Sequence, residues 1–101
     1  MPRYCSHTII LPDENRLDDF VVEVTGNSVT AYYPFTGEMH STIYFDTPIL
    51  LSHRADLEGK TIALTQLTWA LNATHGGTTL YAYRLTPCPS CAEGRFVMSK
   101  L

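Results

Sequence analysis

The sequence predicts an all-β domain: a small antiparallel β-sandwich or partly open barrel of seven to eight short strands. Three observations point there. Apolar and polar residues alternate with a period of two over short runs. Those runs recur about every 8–12 residues between corners marked by Gly, Pro, Asn and Asp. Six of the 101 residues are Tyr and aromatic residues make up 11% of the chain, a composition suited to pleated, half-buried surfaces.

The first run is Tyr4 to Leu11, with Cys5, His7, Ile9 and Leu11 on one face. Pro12-Asp13-Glu14-Asn15 ends it, because Pro fixes φ while Asp and Asn bond to nearby backbone. Phe20 to Thr25 follows, Phe20, Val22 and Val24 pointing one way. Gly26-Asn27 supplies the positive φ of a tight hairpin. Its partner is Ser28 to Phe35, with Val29, Ala31, Tyr33 and Phe35 on one face. Thr36-Gly37-Glu38 is a turn.

Ser41 to Asp46 reads as a fourth strand with Ile43 and Phe45 inward. Pro48 interrupts, having no N–H to give a ladder, and Ile49 to His53 resumes. Asp56 to Lys60 is a loop. Residues 61–71 are ambiguous: Leu64, Leu67 and Leu71 fit a helical stripe, but the threonines, Ile62 and Trp69 favour a strand. Asn72 to Gly77 is a turn, Thr78 to Leu85 a strand, and Pro87-Cys88-Pro89-Ser90-Cys91 breaks it. Arg95 to Leu101 adds the last strand. No linker or repeat divides the chain, so residues 1–101 are expected to form one domain around one core.

Charge narrows the function. The formal net charge is −3, and the seven Lys and Arg are scattered. A nucleic-acid interface concentrates cations against phosphates, so no nucleic-acid partner is expected; an anionic membrane surface is disfavoured for the same reason. No run approaches the ~20 apolar residues of a membrane span. The start, Met-Pro-Arg-Tyr-Cys-Ser-His, lacks the apolar stretch of a signal peptide. A cytoplasmic location is therefore expected, with three reduced thiols. There the sequon Asn72-Ala73-Thr74 carries no weight.

The sharpest chemical feature is Cys88-Pro89-Ser90-Cys91. Two thiolates at this spacing grip one face of Zn²⁺, and a structural site needs four ligands. Cys5 and His7 are candidates to complete it; His40, His53 and His75 are further options. The alternative is a proline-rich loop with incidental cysteines. A thioredoxin-like role fits less well, because that motif opens a helix in a βαβ unit. His7, on the apolar side of its strand, reads as a hydrogen-bonded core or edge residue. The carboxylates Asp13-Glu14 and Asp18-Asp19 flank a turn, where solvated charge is the default. No nucleophile elbow, P-loop or dinucleotide fingerprint is present. Tyr32, Tyr33, Tyr44, Tyr81 and Tyr83 offer either core packing or an aromatic surface.

From Ser6 to Leu51 the chain strings together a strand, the acidic turn Leu11-Pro12-Asp13-Glu14-Asn15-Arg16, and the hairpin Phe20-Val21-Val22-Glu23-Val24 with Gly26-Asn27-Ser28-Val29. This resembles the small β-sandwich domain that flanks the catalytic barrel of amidohydrolase-type enzymes. The whole is also similar to short all-β bacterial proteins of the Bacteroides kind. The amidohydrolase resemblance implies an accessory subunit or remnant of such an enzyme. It carries no catalytic residue, because Ile49 to Ala55 offers one His where the barrel has a His-x-His pair, and the chain is too short for a barrel.

The expectation is thus a non-catalytic structural or protein-interaction domain, not an enzyme and without a cofactor; the alternative is a zinc-binding protein using Cys88 and Cys91. Val21, Tyr32, Tyr44 and Ile10 put apolar surface on outward faces. A lone two-layer sandwich has a wetter outer face, so a homodimer or protein partner is expected.

Overall fold

The turn from Leu11 to Asn15 sets the register of everything around it. Pro12 occupies the first corner, the Glu14 amide donates to the Leu11 carbonyl at 2.9 Å, and the Leu11 amide donates to the Asn15 carbonyl at 2.8 Å. Asp13 accepts from the Asn15 amide and side chain at 3.0 and 2.8 Å. The turn closes only because Glu14 adopts a positive φ of 68°, a conformation that costs a non-glycine residue roughly 1–2 kcal/mol.

The computed structural model describes residues 2–37, 42–65, 67, 79–88, 90 and 94–101. In chain order the strands are β1 (Arg3–Ile10), β2 (Arg16–Thr25), β3 (Ser28–Pro34), β4 (Thr42–Phe45), β5 (Ile49–Ser52), β6 (Thr61–Ala63), β7 (Tyr81–Pro87) and β8 (Arg95–Lys100). They form one open mixed sheet in the order β3-β2-β1-β5-β7-β8-β6, with β4 pairing with β1 off this path. The all-β class and the strand number agree with the sequence reading.

Gly26, at φ 62°, turns β2 into β3. A bulge at Glu23/Val24 bends the pair. The chain then crosses to the far edge of β1, so β4 and β5 run parallel to it: Tyr4 lies beside Ile43 and Ile9 beside Ile49. The expectation of a purely antiparallel arrangement is corrected here. Side-chain periodicity reports faces, not which strand lies alongside. Pro48 divides β4 from β5, and its carbonyl accepts from the Leu85 amide at 3.0 Å. The remaining pairs, β5–β7, β7–β8 and β8–β6, are antiparallel.

Apolar side chains fill both faces of the sheet. On one face Leu50 packs with Ile10, Leu57, Ile62, Leu67, Tyr83, Leu85 and Met98. On the other, Ile49 and Leu51 pack with Ile9, Val22, Val24 and Ala82. That is why β5 reads as an unbroken Ile-Leu-Leu rather than an alternation: a strand covered on both sides has no wet face. Each such side chain contributes roughly 1.5–3 kcal/mol through area removed from water. Val21 and Ile10, expected to face outward, are fully buried. Their apolar character is used within the chain and gives no sign of a partner.

Of the ambiguous stretch 61–71, Thr61–Ala63 form β6 and Leu67 joins the core; residues 66 and 68–71 lie outside the described residues, so the choice between strand and helix is open there. The break expected at Pro87 comes one residue later, since Pro87 still pairs with Phe96. Tyr83, wholly buried, satisfies its hydroxyl by donating to the Arg54 carbonyl at 2.7 Å.

Candidate functional site

The β1–β2 ladder and the path from β4 to β5 are interrupted at one level. The β1–β2 register pairs Ser6 with Phe20 and Thr8 with Asp18, and skips the pair between them, His7 and Asp19. Asp19 has a φ of 54°. Beside them the chain bends between β4 and β5 at Asp46-Thr47-Pro48, and Ser6 Oγ donates to the Thr47 carbonyl at 2.7 Å. The result is a corner in the sheet. Cys5 and Ile9 stay buried on either side of it while the His7 side chain, 69% exposed, swings out. The apolar placement expected for His7 is therefore corrected, although the hydrogen bonding is as expected.

His7 Nδ1 lies 2.7 Å from Asp19 Oδ1. A carboxylate only accepts, so Nδ1 carries the proton and Nε2 is left as acceptor. The Tyr44 hydroxyl, 3.0 Å from Nε2, is the donor to it, and the Tyr44 ring meets the imidazole edge-on at 5.4 Å. Phe35 packs edge-on against Tyr44 at 6.4 Å, and the Phe35 amide donates to the Asp19 carbonyl. The hydroxyl also lies 3.2 Å from Nδ1, so it sits against the ring between the two nitrogens, and the three groups cluster without forming the in-line relay of a nucleophilic triad. Partial burial, then the neighbouring Cys5 and Asp19, push the Tyr44 phenol above its ordinary value. A phenol held protonated donates; it is not poised to attack. The arrangement fastens β4 to the β1–β2 hairpin.

Behind the corner, Tyr4 stacks on Phe45 at 5.6 Å and the Arg84 guanidinium lies 4.5 Å from the Phe45 ring centre. Phe45 is the inward anchor of β4, as expected. Ile43, also expected inward, is 50% exposed, and Tyr44 48%. Two consecutive exposed residues follow from position: among the described strands β4 pairs only with β1, so neither its outer edge nor its faces are fully covered. The strand has no charged residue and no Pro, the usual protections of a free edge.

The cysteines stand apart in state. Cys5 is a buried free thiol, and burial, then the Asp19 charge, push it up, away from the thiolate that metals bind. Cys88 follows β7, its amide donating to the Arg95 carbonyl at 3.1 Å, and is disulfide-bonded. The expectation of three reduced thiols is corrected for Cys88: three cysteines leave room for one bridge and one free thiol. Cys91, His40 and His75 lie outside the described residues. Among the described residues no group of three or more His, Cys, Asp or Glu side chains is placed to hold a metal ion. The described residues include no helix long and apolar enough to cross a membrane.

The sequence reading placed Tyr44 on an outward face, where it is found, and Asp19 among the solvated carboxylates of a turn, but it paired neither with His7. The signal was present in the turn. A hairpin centred on Asp13 places residue 7 opposite residue 19, so His7 and Asp19 were already paired by arithmetic. Reading the second strand from Phe20 concealed it. Compared with protein families, curated proteins and solved structures, the chain matches none. The likeness of Ser6 to Leu51 to the amidohydrolase flank gains no support from them.

Proposed function

We propose that this chain is a non-catalytic interaction domain that pairs with a second copy of itself through β4. The observation that carries the reading is an uncharged strand whose outer edge is unpaired among the described strands, and which displays Ile43 and Tyr44 beside it. Unpaired amides and carbonyls along an edge are satisfied by another strand. A twofold axis through β4 satisfies both copies at once, antiparallel, with the same residues on each side. The Phe45 clamp and the His7–Tyr44 bond hold the edge in its bound shape beforehand, which lowers the ordering cost of association.

Four residues a side make a small interface, at the weak end of specific contacts, so a dissociation constant of about 10–500 μM is expected. Sedimentation equilibrium on the intact chain tests it. The wild type is expected to shift from monomer to dimer over that range. Ile43→Lys, which adds a charge at an already half-exposed position, is expected to remain monomeric with an unchanged circular dichroism spectrum. A wild type that stays monomeric up to about 1 mM contradicts the proposal, as does a variant that dimerises equally well.

A further inference from the structure

A concave surface lies where the β1–β2 turn, β3 and the start of β7 meet. It has a volume of about 290 Å³ and is lined by Leu11, Pro12, Asp13, Tyr32, His53 and Leu80. Three of the lining residues are held by hydrogen bonds within the protein. Asp13 is clasped by Asn15 through two hydrogen bonds. Leu80 is tied to β3 by the Val29 amide donating to its carbonyl at 2.7 Å. His53 Nδ1 lies 3.0 Å from the Thr79 carbonyl.

The polar groups of this pocket share one character. The Thr79 carbonyl can only accept, so His53 Nδ1 carries the proton and Nε2 is the acceptor of the neutral ring. Each Asp13 oxygen accepts one bond from Asn15 and keeps a further lone pair. Tyr32 is 42% exposed and offers a ring face that attracts cations. Among the described residues no Lys or Arg lines the pocket, and the chain as a whole is acidic. Leu11, Pro12 and Leu80 supply apolar wall. The lining therefore presents acceptors, one of them charged, beside an aromatic face and a greasy floor.

We propose that this pocket binds a primary ammonium group carried on a short apolar stem. An ammonium has three donors and no acceptor, which matches a carboxylate, an imidazole nitrogen and an aromatic face. The volume lies at the lower limit of small-molecule sites, which suits a group the size of phenethylamine or of a lysine side chain. Both sources share this chemistry, a free amine and a lysine displayed by a peptide. The pocket does not depend on pairing through β4.

The test is an NMR titration of the isotope-labelled full chain. Phenethylamine is expected to shift the amides of Leu11, Asp13, Tyr32, His53 and Leu80 saturably, with millimolar affinity. Phenethyl alcohol, which has the same body and no charge, is expected to bind at least tenfold more weakly. Asp13→Asn keeps an oxygen for the Asn15 amide and so keeps the turn, yet is expected to weaken the amine at least fivefold. Lysine capped at both backbone ends separates the sources. Binding equal to that of phenethylamine assigns the site to a peptide-borne lysine, and much weaker binding assigns it to a free amine. On an Ile43→Lys background the amine is expected to bind as to the wild type. Equal affinity for amine and alcohol, an unaffected Asp13→Asn, or no saturable shift at these amides up to about 20 mM amine overturns the proposal.

Discussion

Replacing Tyr83 by Phe removes one oxygen atom from the centre of the larger apolar cluster and nothing else. Tyr83 is fully buried, and its hydroxyl donates to the Arg54 carbonyl at 2.7 Å. The ring stays, so no cavity opens; the cost is the lost bond to the Arg54 carbonyl, together with the bond the phenol oxygen accepts from the Leu57 amide. A net bond contributes about 0.5–1.5 kcal/mol, and an orphaned buried acceptor costs about 1–3 kcal/mol. Arg54 is only partly buried, which lets water reach its carbonyl, so the expected loss is about 1–2 kcal/mol. For a domain near this length that lowers Tm by roughly 4–12 °C. Urea unfolding and thermal melts measure it, and the m-value is expected to be unchanged because the exposed surface is the same. A change below about 0.3 kcal/mol refutes the role given to this bond.

The same substitution has a pH signature. Burial, the largest cause, raises the Tyr83 phenol above its ordinary value of 10.0. A group whose folded value is raised contributes stability fully below its unfolded value and loses it as pH rises through the folded value. Cys5 behaves likewise from 9.0 upward. The wild type is therefore expected to weaken above about pH 9–10, and Tyr83→Phe to lack the phenol's share of that decline. Identical pH profiles for the two proteins contradict the argument.

The left-handed backbone at Glu14 and Asp19 gives two contrasts. Glu14→Gly relieves about 1–2 kcal/mol of strain but loses about 0.5–1 kcal/mol to unfolded-chain entropy; a small net gain is expected by urea unfolding, and Glu14→Val is expected to be clearly worse than either. Asp19→Ala keeps the strain and loses the bond to His7, so it is expected to be less stable than Asp19→Gly; the reverse order means the corner is not strained. Arg54 donates to Asp56 and holds its carboxyl down at about 2 from 3.8. That contribution is present above pH 3.8 and fades as pH falls through about 2; an NMR titration is expected to find the low midpoint and to see it rise in Arg54→Gln.

What the sequence disclosed, and what it withheld, divides along physical lines. The strands were legible because alternation and turn residues are local: Gly26-Asn27 closes its hairpin where expected, and Pro48 splits β4 from β5. The neighbours of a strand are not local. Nothing in Thr42 to Ser52 says that it runs parallel to β1, and Ile43 looked inward because alternation assumes a covered face. Ile10 looked like surplus apolar surface but packs in the Leu50 cluster, and Val21 is fully buried as well. The His7 corner needed both the register and a left-handed Asp19, a conformation that Asp tolerates better than most residues but that is rare inside a strand.

Pairing through β4 is the claim on which the functional account stands, and amide hydrogen exchange at two concentrations examines it at the residues concerned. Those amides of Ile43, Tyr44 and Phe45 that do not bond to β1 are expected to exchange freely at about 10 μM and to gain protection at about 1 mM. The rest of the sheet is expected to remain the same, and Ile43→Lys to show no gain. Equal exchange of the β4 amides at both concentrations contradicts the account.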